Sequence, residues 1–147
     1  MIIDIGASIN SCRGDICLIY AYDTSIDNRH TQYDTMFPLK NGKNIFYNDF
    51  DDLVEKVRQY KVEKALLIHS IEHMDCPYLL LKNINANEIF IVTPNAVTNK
   101  ADWIDSGHIY SFTEASIKNL IKRAKPNYQV DIFTMFNNLD LVAHAKI

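Results

Sequence analysis

Cysteine is scarce in this sequence of 147 residues, which contains three of them. Cys12, Cys17 and Cys76 are odd in number and lack CxxC spacing. This distribution argues against both a disulfide framework and a zinc site. Scattered cysteines of this kind are typical of a reducing compartment, so we expect a cytoplasmic protein.

Long apolar runs are absent as well. No stretch approaches the roughly 20 apolar residues that cross a bilayer, so we expect no membrane partner. Residues 1–4 lack the basic region and the apolar core of a signal peptide, and none is expected.

Basic residues are in deficit. The chain carries 15 Lys and Arg against 18 Asp and Glu, a net charge of −3 at pH 7, so a nucleic-acid partner is not expected. The basic cluster within 118–125 is better explained as a solvated helix face. Hydrophobic side chains are abundant, at 48% of the residues, which is enough for one domain of this length to form a core.

Short apolar runs alternate with helical patterns along the chain. The strand-like runs cover 2–5, 16–22, 44–47, 65–68 and 89–92. Two further runs, 129–135 and 139–146, flank Asn137-Asn138 and predict a closing hairpin. Strands that alternate with helices indicate an α/β fold whose sheet is mostly parallel, with an antiparallel strand added by that hairpin. The segment 23–43 is predicted to be a loop with one weak element.

Three helices are predicted from apolar spacing and capping residues. Asp49 or Asp51 caps the first, whose apolar positions lie within 53–60. Asp75 and Pro77 open the second. Ser111 and Glu114 have capping-box spacing before the third, which ends at Pro126. A short helix is also expected within 9–15.

Polar residues follow three of the predicted strands, at the edge of the sheet where α/β folds bind ligands. Gly6, after the first strand, lets backbone approach a ligand. Asp23, after the second, is placed to accept hydrogen bonds from ribose hydroxyls. Asp49 and Phe50, after the third, could meet a purine. Each residue also has a structural explanation: Gly6 as a tight turn, Asp23 as a cap and Asp49 as a helix N-cap.

Histidines occupy the same predicted edge further along the chain. His69, His73 and His108 are candidates for a general base, because imidazole exchanges protons near neutral pH. The structural alternative for each is a histidine bonded to a backbone carbonyl that shapes a loop.

Several segments resemble, in order, the motifs of class I S-adenosylmethionine-dependent methyltransferases. They are Ile3-Asp4-Ile5-Gly6, Tyr22-Asp23-Thr24-Ser25, 48–53, 71–77, 92–95 and 107–113. The resemblance implies a single-domain Rossmann-like sheet with S-adenosylmethionine as cofactor and a small or macromolecular methyl acceptor. It implies cofactor contacts at Asp4, Gly6, Ala7, Asp23, Asp49, Phe50 and His69. It further implies His73 as the catalytic residue, without a metal.

Alternatives remain open. The glycine-rich turn of the family is reduced here to Gly6, followed by Ser8 and Asn10, which favours a degenerate binding or regulatory module with a protein partner or a second copy. Metal-dependent methyltransferases of small RNAs carry a Glu-x-x-Glu-His motif and a later histidine. The matching positions here are His69, Glu72, His73 and His108. A different nucleotide-binding α/β protein is the third alternative.

Overall fold

The computed structural model describes residues 1–23 and 31–147. Its centre is a seven-stranded sheet with the order β3-β2-β1-β4-β5-β7-β6. The strands are β1 (Ile2–Ile5), β2 (Ile16–Tyr20), β3 (Lys43–Tyr47), β4 (Lys61–Ile68), β5 (Asn85–Pro94), β6 (Gln129–Met135) and β7 (Asp140–Lys146). The helices are α1 (Phe50–Arg58), α2 (Pro77–Asn83) and α3 (Glu114–Ala124).

The strand pairing confirms the predicted fold class. Strands β1 to β5 pair in parallel, while β7 pairs antiparallel with both β5 and β6. The predicted hairpin therefore closes the sheet, and its turn contains positive-φ residues from Phe136 to Asn138. The carboxyl ends of five parallel strands consequently share one edge of the sheet.

The caps agree with the sequence in one helix and differ in two. Asp49 caps α1 and accepts a hydrogen bond from the Asp52 amide, as predicted. The N-cap of α3 is Thr113, paired with Ser116, so the prediction of Ser111 and Glu114 was wrong. Ser111 precedes Phe112, whose parallel bridge to Asn95 keeps this segment extended beside the end of β5. Pro77 opens α2 as expected, but Cys76 rather than Asp75 precedes it.

The helix predicted within 9–15 does not form, so that prediction was wrong. The connection from β1 to β2 instead runs close against β1, and the Asp15 amide donates to the Ile2 carbonyl at 2.8 Å. A Cβ atom on Gly14 would lie 2.7 Å from the Asp4 nitrogen. That close backbone approach leaves no room for a helix of ordinary width.

Two of the cysteines are joined, which contradicts the expectation drawn from their spacing. Cys12 and Cys17 form a disulfide with their Cα atoms 5.8 Å apart, within the range that such bonds require. Both side chains are buried where the connection meets β2. Cys76 is a free cysteine.

The two faces of the sheet are covered differently. All three helices lie on one face, where Leu53, Leu80 and Ile117 are buried against strand residues such as Leu67. The other face is covered by the segment around the 3₁₀ turn Thr31–Tyr33, through Tyr33 and Phe37. This turn is the weak element predicted within 23–43; residues 24–30 lie outside the described chain. None of the helices in 1–23 and 31–147 has the length and apolarity needed to cross a membrane.

Candidate functional site

A crevice of about 520 Å³ opens at the carboxyl edge of the parallel strands. It is lined by residues predicted from the sequence, together with Tyr20, Tyr47 and Met74 from neighbouring elements. The predicted residues on its wall are Gly6, Asp23, Asp49, Phe50, His69 and His73. A smaller polar cavity of about 40 Å³ adjoins it, and there Asp4 and Ala7 join the lining. The structure thus brings all eight predicted residues to one edge of the sheet.

Gly6 makes the turn after β1 in a conformation that favours glycine. Its φ is +79°, and a Cβ atom would lie 2.6 Å from the Cβ of Ser70. Ser70 follows β4 and donates from Oγ to the Ile5 carbonyl at 2.9 Å. The turn and the end of β4 are therefore in direct contact, which places backbone rather than side chain at the floor of the crevice.

Asp4 lies behind that turn and has a structural partner. Its Oδ2 accepts a hydrogen bond from the Arg13 amide at 2.8 Å. Burial raises the pKa of Asp4 to about 7, although the Arg13 amide and guanidinium act in the opposite direction. The Arg13 guanidinium is itself buried and pairs with Asp34 at 2.9 Å. Asp4 thus holds the β1–β2 connection in place beside the small cavity.

Asp23 stands at the mouth of both cavities, three residues beyond the end of β2. Tyrosines surround it: the ring centroids of Tyr20 and Tyr22 are 5.7 Å apart, as are those of Tyr20 and Tyr47. Burial raises the pKa of Tyr47, and Asp23 and Tyr20 raise it further. These rings form an aromatic wall next to a carboxylate, and the sequence reasoning had not assigned them to the site.

Asp49 has the structural role that the sequence left open, and it also lines the crevice. Its Oδ1 accepts from the Asp52 amide at 2.8 Å. Within the described residues this bond engages Oδ1 alone, so Oδ2 is available to a ligand. Phe50 follows it as the first residue of α1 and packs partly into the helix-covered core.

His69 directly follows β4, in a left-handed conformation with φ of +48°. Both of its ring nitrogens face carboxylates: Nδ1 lies 3.5 Å from Glu72 Oε1, and Nε2 lies 3.4 Å from Asp140 Oδ2. Burial lowers the pKa of His69, but the contacts with Asp140 and Glu72 outweigh it and raise the pKa to about 9. His69 is therefore a buried cation at neutral pH.

Two partners of His69 were missed by the sequence reasoning. Tyr33 donates a hydrogen bond to Asp140, and its hydroxyl lies 3.3 Å from Nε2 of His69. Tyr33 comes from the 3₁₀ turn on the far face and Asp140 from the start of β7. The sequence carries no signal for this cluster, because its members are far apart along the chain and meet only when β7 pairs with β5.

His73 is exposed beside the crevice, and its ring orientation is fixed by a carbonyl. Its Nδ1 lies 2.6 Å from the Gly107 oxygen. A carbonyl only accepts, so Nδ1 carries the proton and Nε2 of the neutral ring holds a lone pair. The rings of His73 and His108 meet at 4.6 Å between centroids.

His108 is held in a similar way by an aspartate that the sequence did not indicate. Asp102, from the 3₁₀ turn Lys100–Trp103, places Oδ1 2.6 Å from Nδ1 of His108. One ligand atom each from Glu72, His73 and His108 lies within 4.8 Å of the others, a spacing that could hold a metal ion. His69 is not part of this group, since its nitrogens face Glu72 and Asp140.

Two carboxylate oxygens near these histidines are short of partners. Among the described residues, Glu72 Oε1 and Asp102 Oδ2 are buried without a hydrogen bond. The other oxygen of Glu72 accepts from Thr93 Oγ1 at 3.2 Å. Glu72 Oε1 nevertheless faces the His69 cation, whose Nδ1 lies 3.5 Å away, so of these two oxygens Asp102 Oδ2 is the one without a polar partner among the described residues.

No protein-family model matches the chain, and no curated protein matches it. Solved structures do match it. The first is a chain of the Pnkp1/Rnl/Hen1 RNA repair complex, with a TM-score of 0.58 and 16% identity over 99% of this chain and 37% of that one. This chain thus spans little more than a third of that relative.

This chain matches two further solved structures over a larger share of their own length. The methyltransferase domain of bacterial CtHen1 gives a TM-score of 0.55 and 13% identity, covering 99% of this chain and 89% of that chain. The N-terminal domain of EvdMO1 with bound S-adenosylhomocysteine gives a TM-score of 0.57 and 12% identity, covering 99% of this chain and 73% of that chain. These likenesses confirm the fold: the chain has the Rossmann-like fold of S-adenosylmethionine-dependent methyltransferases.

Proposed function

We propose that this protein transfers a methyl group from S-adenosylmethionine to an acceptor. The observation that carries the proposal is the crevice itself. It brings Gly6, Asp23 and Asp49 together at successive strand ends, with an exposed histidine at its far side. The crystallised relative with S-adenosylhomocysteine supports the choice of cofactor.

The cofactor would lie across the ends of β1 to β4. The Gly6–Ala7 turn would contact its amino-acid end, where the small cavity also contains Asp4 and His69. Asp23 accepts from the ribose hydroxyls. Asp49 Oδ2 accepts from the exocyclic amine of adenine, while Phe50 packs against the purine ring.

Methyl transfer from a sulfonium needs position more than a protein nucleophile. Holding acceptor and methyl carbon in line can contribute about 7–11 kcal/mol. His73 would act as the general base, because the Gly107 carbonyl fixes its tautomer with Nε2 unprotonated. Ser70 and Met74, in the segment that follows β4, would form the floor between His73 and the cofactor.

A second candidate, metal-assisted methyl transfer, is favoured by the geometry around Glu72. Glu72, His73 and His108 would hold the ion, because one ligand atom from each lies within 4.8 Å of the others. A bound divalent ion would supply Lewis acidity toward an acceptor hydroxyl. The bonds of His73 to Gly107 and of His108 to Asp102 orient both rings as outer partners of metal ligands do.

Thermal shift with S-adenosylhomocysteine tests the cofactor assignment. At one hundred times the dissociation constant a ligand stabilises a protein by about 2.7 kcal/mol, so the melting temperature should rise. Asp23→Ala should remove that rise without lowering the melting temperature of the unliganded protein. NAD and ATP serve as comparison ligands, and a shift with either of them but none with S-adenosylhomocysteine would contradict the proposal. No shift with any of them would favour the degenerate module.

Metal analysis of the purified protein separates the two candidates. The metal-assisted mechanism predicts one divalent ion per chain, lost in a Glu72→Gln variant. The metal-free mechanism predicts no bound ion and activity that survives a chelator. In both cases His73→Ala should abolish turnover while the response to S-adenosylhomocysteine is retained.

A further inference from the structure

Charge is unevenly divided between the two edges of the sheet. Two described segments beyond β4 and β5 face the acceptor, 69–76 and 95–114. They hold five acidic residues against Lys100 and the His69 cation, which pairs with Glu72. The acidic residues are Glu72, Asp75, Asp102, Asp105 and Glu114. The opposite edge, formed by strand starts and helix ends, carries the basic residues Arg58, Lys61, Lys82, Lys122, Arg123 and Lys125. The acceptor side therefore favours cations over anions.

Two acidic residues of this rim lie next to the paired rings of His73 and His108. Asp105 accepts the Gly107 amide through Oδ1 at 2.8 Å and places Oδ2 3.4 Å from Nε2 of His108. Gly107 lies between the two groups, since a Cβ there would be 3.2 Å from Asp105 and 3.4 Å from the His73 ring. Asp75, two residues beyond His73, is exposed, and its carbonyl accepts from the Tyr110 hydroxyl at 3.1 Å.

Apolar side chains are exposed on the same loop. Trp103, Ile104 and Ile109 are 71%, 84% and 57% exposed, although they lie beside the residues that hold His108. Trp103 is anchored by its indole nitrogen, which donates to the Ala96 carbonyl at 2.7 Å. Exposed apolar groups gathered next to a reactive site indicate a binding surface. Trp103 lies between Asp102 and Asp105 in the sequence, and an exposed aromatic ring near carboxylates suits an organic cation.

A third observation points to the same kind of ligand. Among the carboxylates of the rim, Asp102 keeps Oδ2 buried without a hydrogen-bond partner within the described residues. A polyanion such as RNA would meet these carboxylates with one nearby lysine to neutralise its phosphates. Phosphate recognition normally depends on several Lys and Arg side chains.

We propose that the methyl acceptor is an amine with an aromatic or alkyl body, bound as its ammonium form by the acidic rim and Trp103. This inference rests on the proposed function. The ammonium gives a proton to Nε2 of His73, and the freed nitrogen lone pair forms the new bond to the methyl carbon. The carbon–sulfur bond breaks with its electron pair remaining on sulfur, and His73 releases its proton to solvent. The products are a methylated ammonium and a neutral thioether.

Binding of 2-phenylethylamine tests the inference, because Trp103 is the only tryptophan in the chain and reports occupancy by fluorescence. There are three comparison probes. Phenylacetate is the anionic counterpart of the amine, 2-phenylethanol is its neutral counterpart, and the third is a ten-nucleotide RNA. We expect the amine to bind at least about tenfold more tightly than phenylacetate. Asp75→Asn and Asp105→Asn should each weaken it about threefold, the effect of one exposed charge pair.

Asp131→Asn is the matched control, since Asp131 is an exposed aspartate on β6, away from the crevice. It should leave amine binding unchanged. Equal or tighter binding of phenylacetate or RNA, or no effect of the two rim variants, would overturn the inference. The titrations are run without cofactor, and the S-adenosylhomocysteine shift is measured separately on the same proteins. Failure of cofactor binding is thereby distinguished from failure of amine recognition.

Discussion

Replacing Gly6 with alanine adds one methyl group where the turn after β1 touches the end of β4. Two effects make the added methyl group destabilising. Gly6 has φ of +79°, a conformation that costs an L-residue about 1–2 kcal/mol. The new Cβ would also lie 2.6 Å from Ser70 Cβ and 3.2 Å from Met74 Cε. Overpacking of this kind costs about 1–3 kcal/mol.

The sum predicts a loss of about 2–5 kcal/mol in the free energy of unfolding, a large share of the stability of a domain this size. Urea unfolding followed by circular dichroism measures it, and the midpoint should fall while the slope is unchanged. The neighbouring strand end cannot move away easily, because Ser70 is tied to the Ile5 carbonyl. The variant should also weaken S-adenosylhomocysteine binding, since the displaced turn lines both cavities.

Gly107→Ala is the matched control for that experiment. A Cβ on Gly107 meets only the Asp105 side chain at 3.2 Å and the His73 ring at 3.4 Å, and both can shift. We expect a loss below about 1 kcal/mol. A Gly6→Ala protein as stable as the Gly107→Ala protein would refute the reasoning that close approach and positive φ require glycine at position 6.

Two further predictions concern buried polar groups. The folded-state pKa of Asp4 is raised from 3.8 to about 7, so the folded protein binds this proton more tightly and stability falls as pH rises from about 4 to 7. Asp4→Asn should remove this loss of stability with rising pH. The difference in the free energy of unfolding between the two proteins, measured by urea titration, should change by about 4 kcal/mol from about pH 4 to 7. Parallel pH profiles of the two proteins would contradict the prediction. Tyr33→Phe leaves Asp140 without the hydroxyl that donates to it, and should cost about 1–3 kcal/mol in thermal unfolding. Its control is Tyr60→Phe, at a partly buried tyrosine outside the cluster, which should change the melting temperature little; equal losses in the two variants would contradict the role of the Tyr33 hydroxyl.

The local elements were readable because they depend on neighbours in sequence. The apolar runs of β4 and β5, the cap of α1 by Asp49 and the hairpin around Asn137-Asn138 all follow from spacing and turn chemistry, and the structure confirms each. The strand ends then place Gly6, Asp23 and His73 at one edge, because parallel strands align their carboxyl ends. A fold class and a candidate crevice could thus be predicted without coordinates.

Other features could not be predicted because they depend on which strands become neighbours. The connection 6–15 contains residues compatible with a helix, and only its close approach to β1 at Gly14 excludes one. The same approach brings Cys12 and Cys17 together despite their uninformative spacing. The cap of α3 moved to Thr113 because Phe112 bridges to Asn95 at the end of β5.

The sequence by itself determined the alternation of strands and helices, the polar strand ends and the acidic balance of the chain. The tertiary structure alone decided where the histidines of the site carry their protons. His69 is a buried cation because β7 brings Asp140 to it, and His73 has a free Nε2 because Gly107 folds back onto Nδ1. Such states depend on burial and on partners distant in sequence, and both exist only after the sheet has closed.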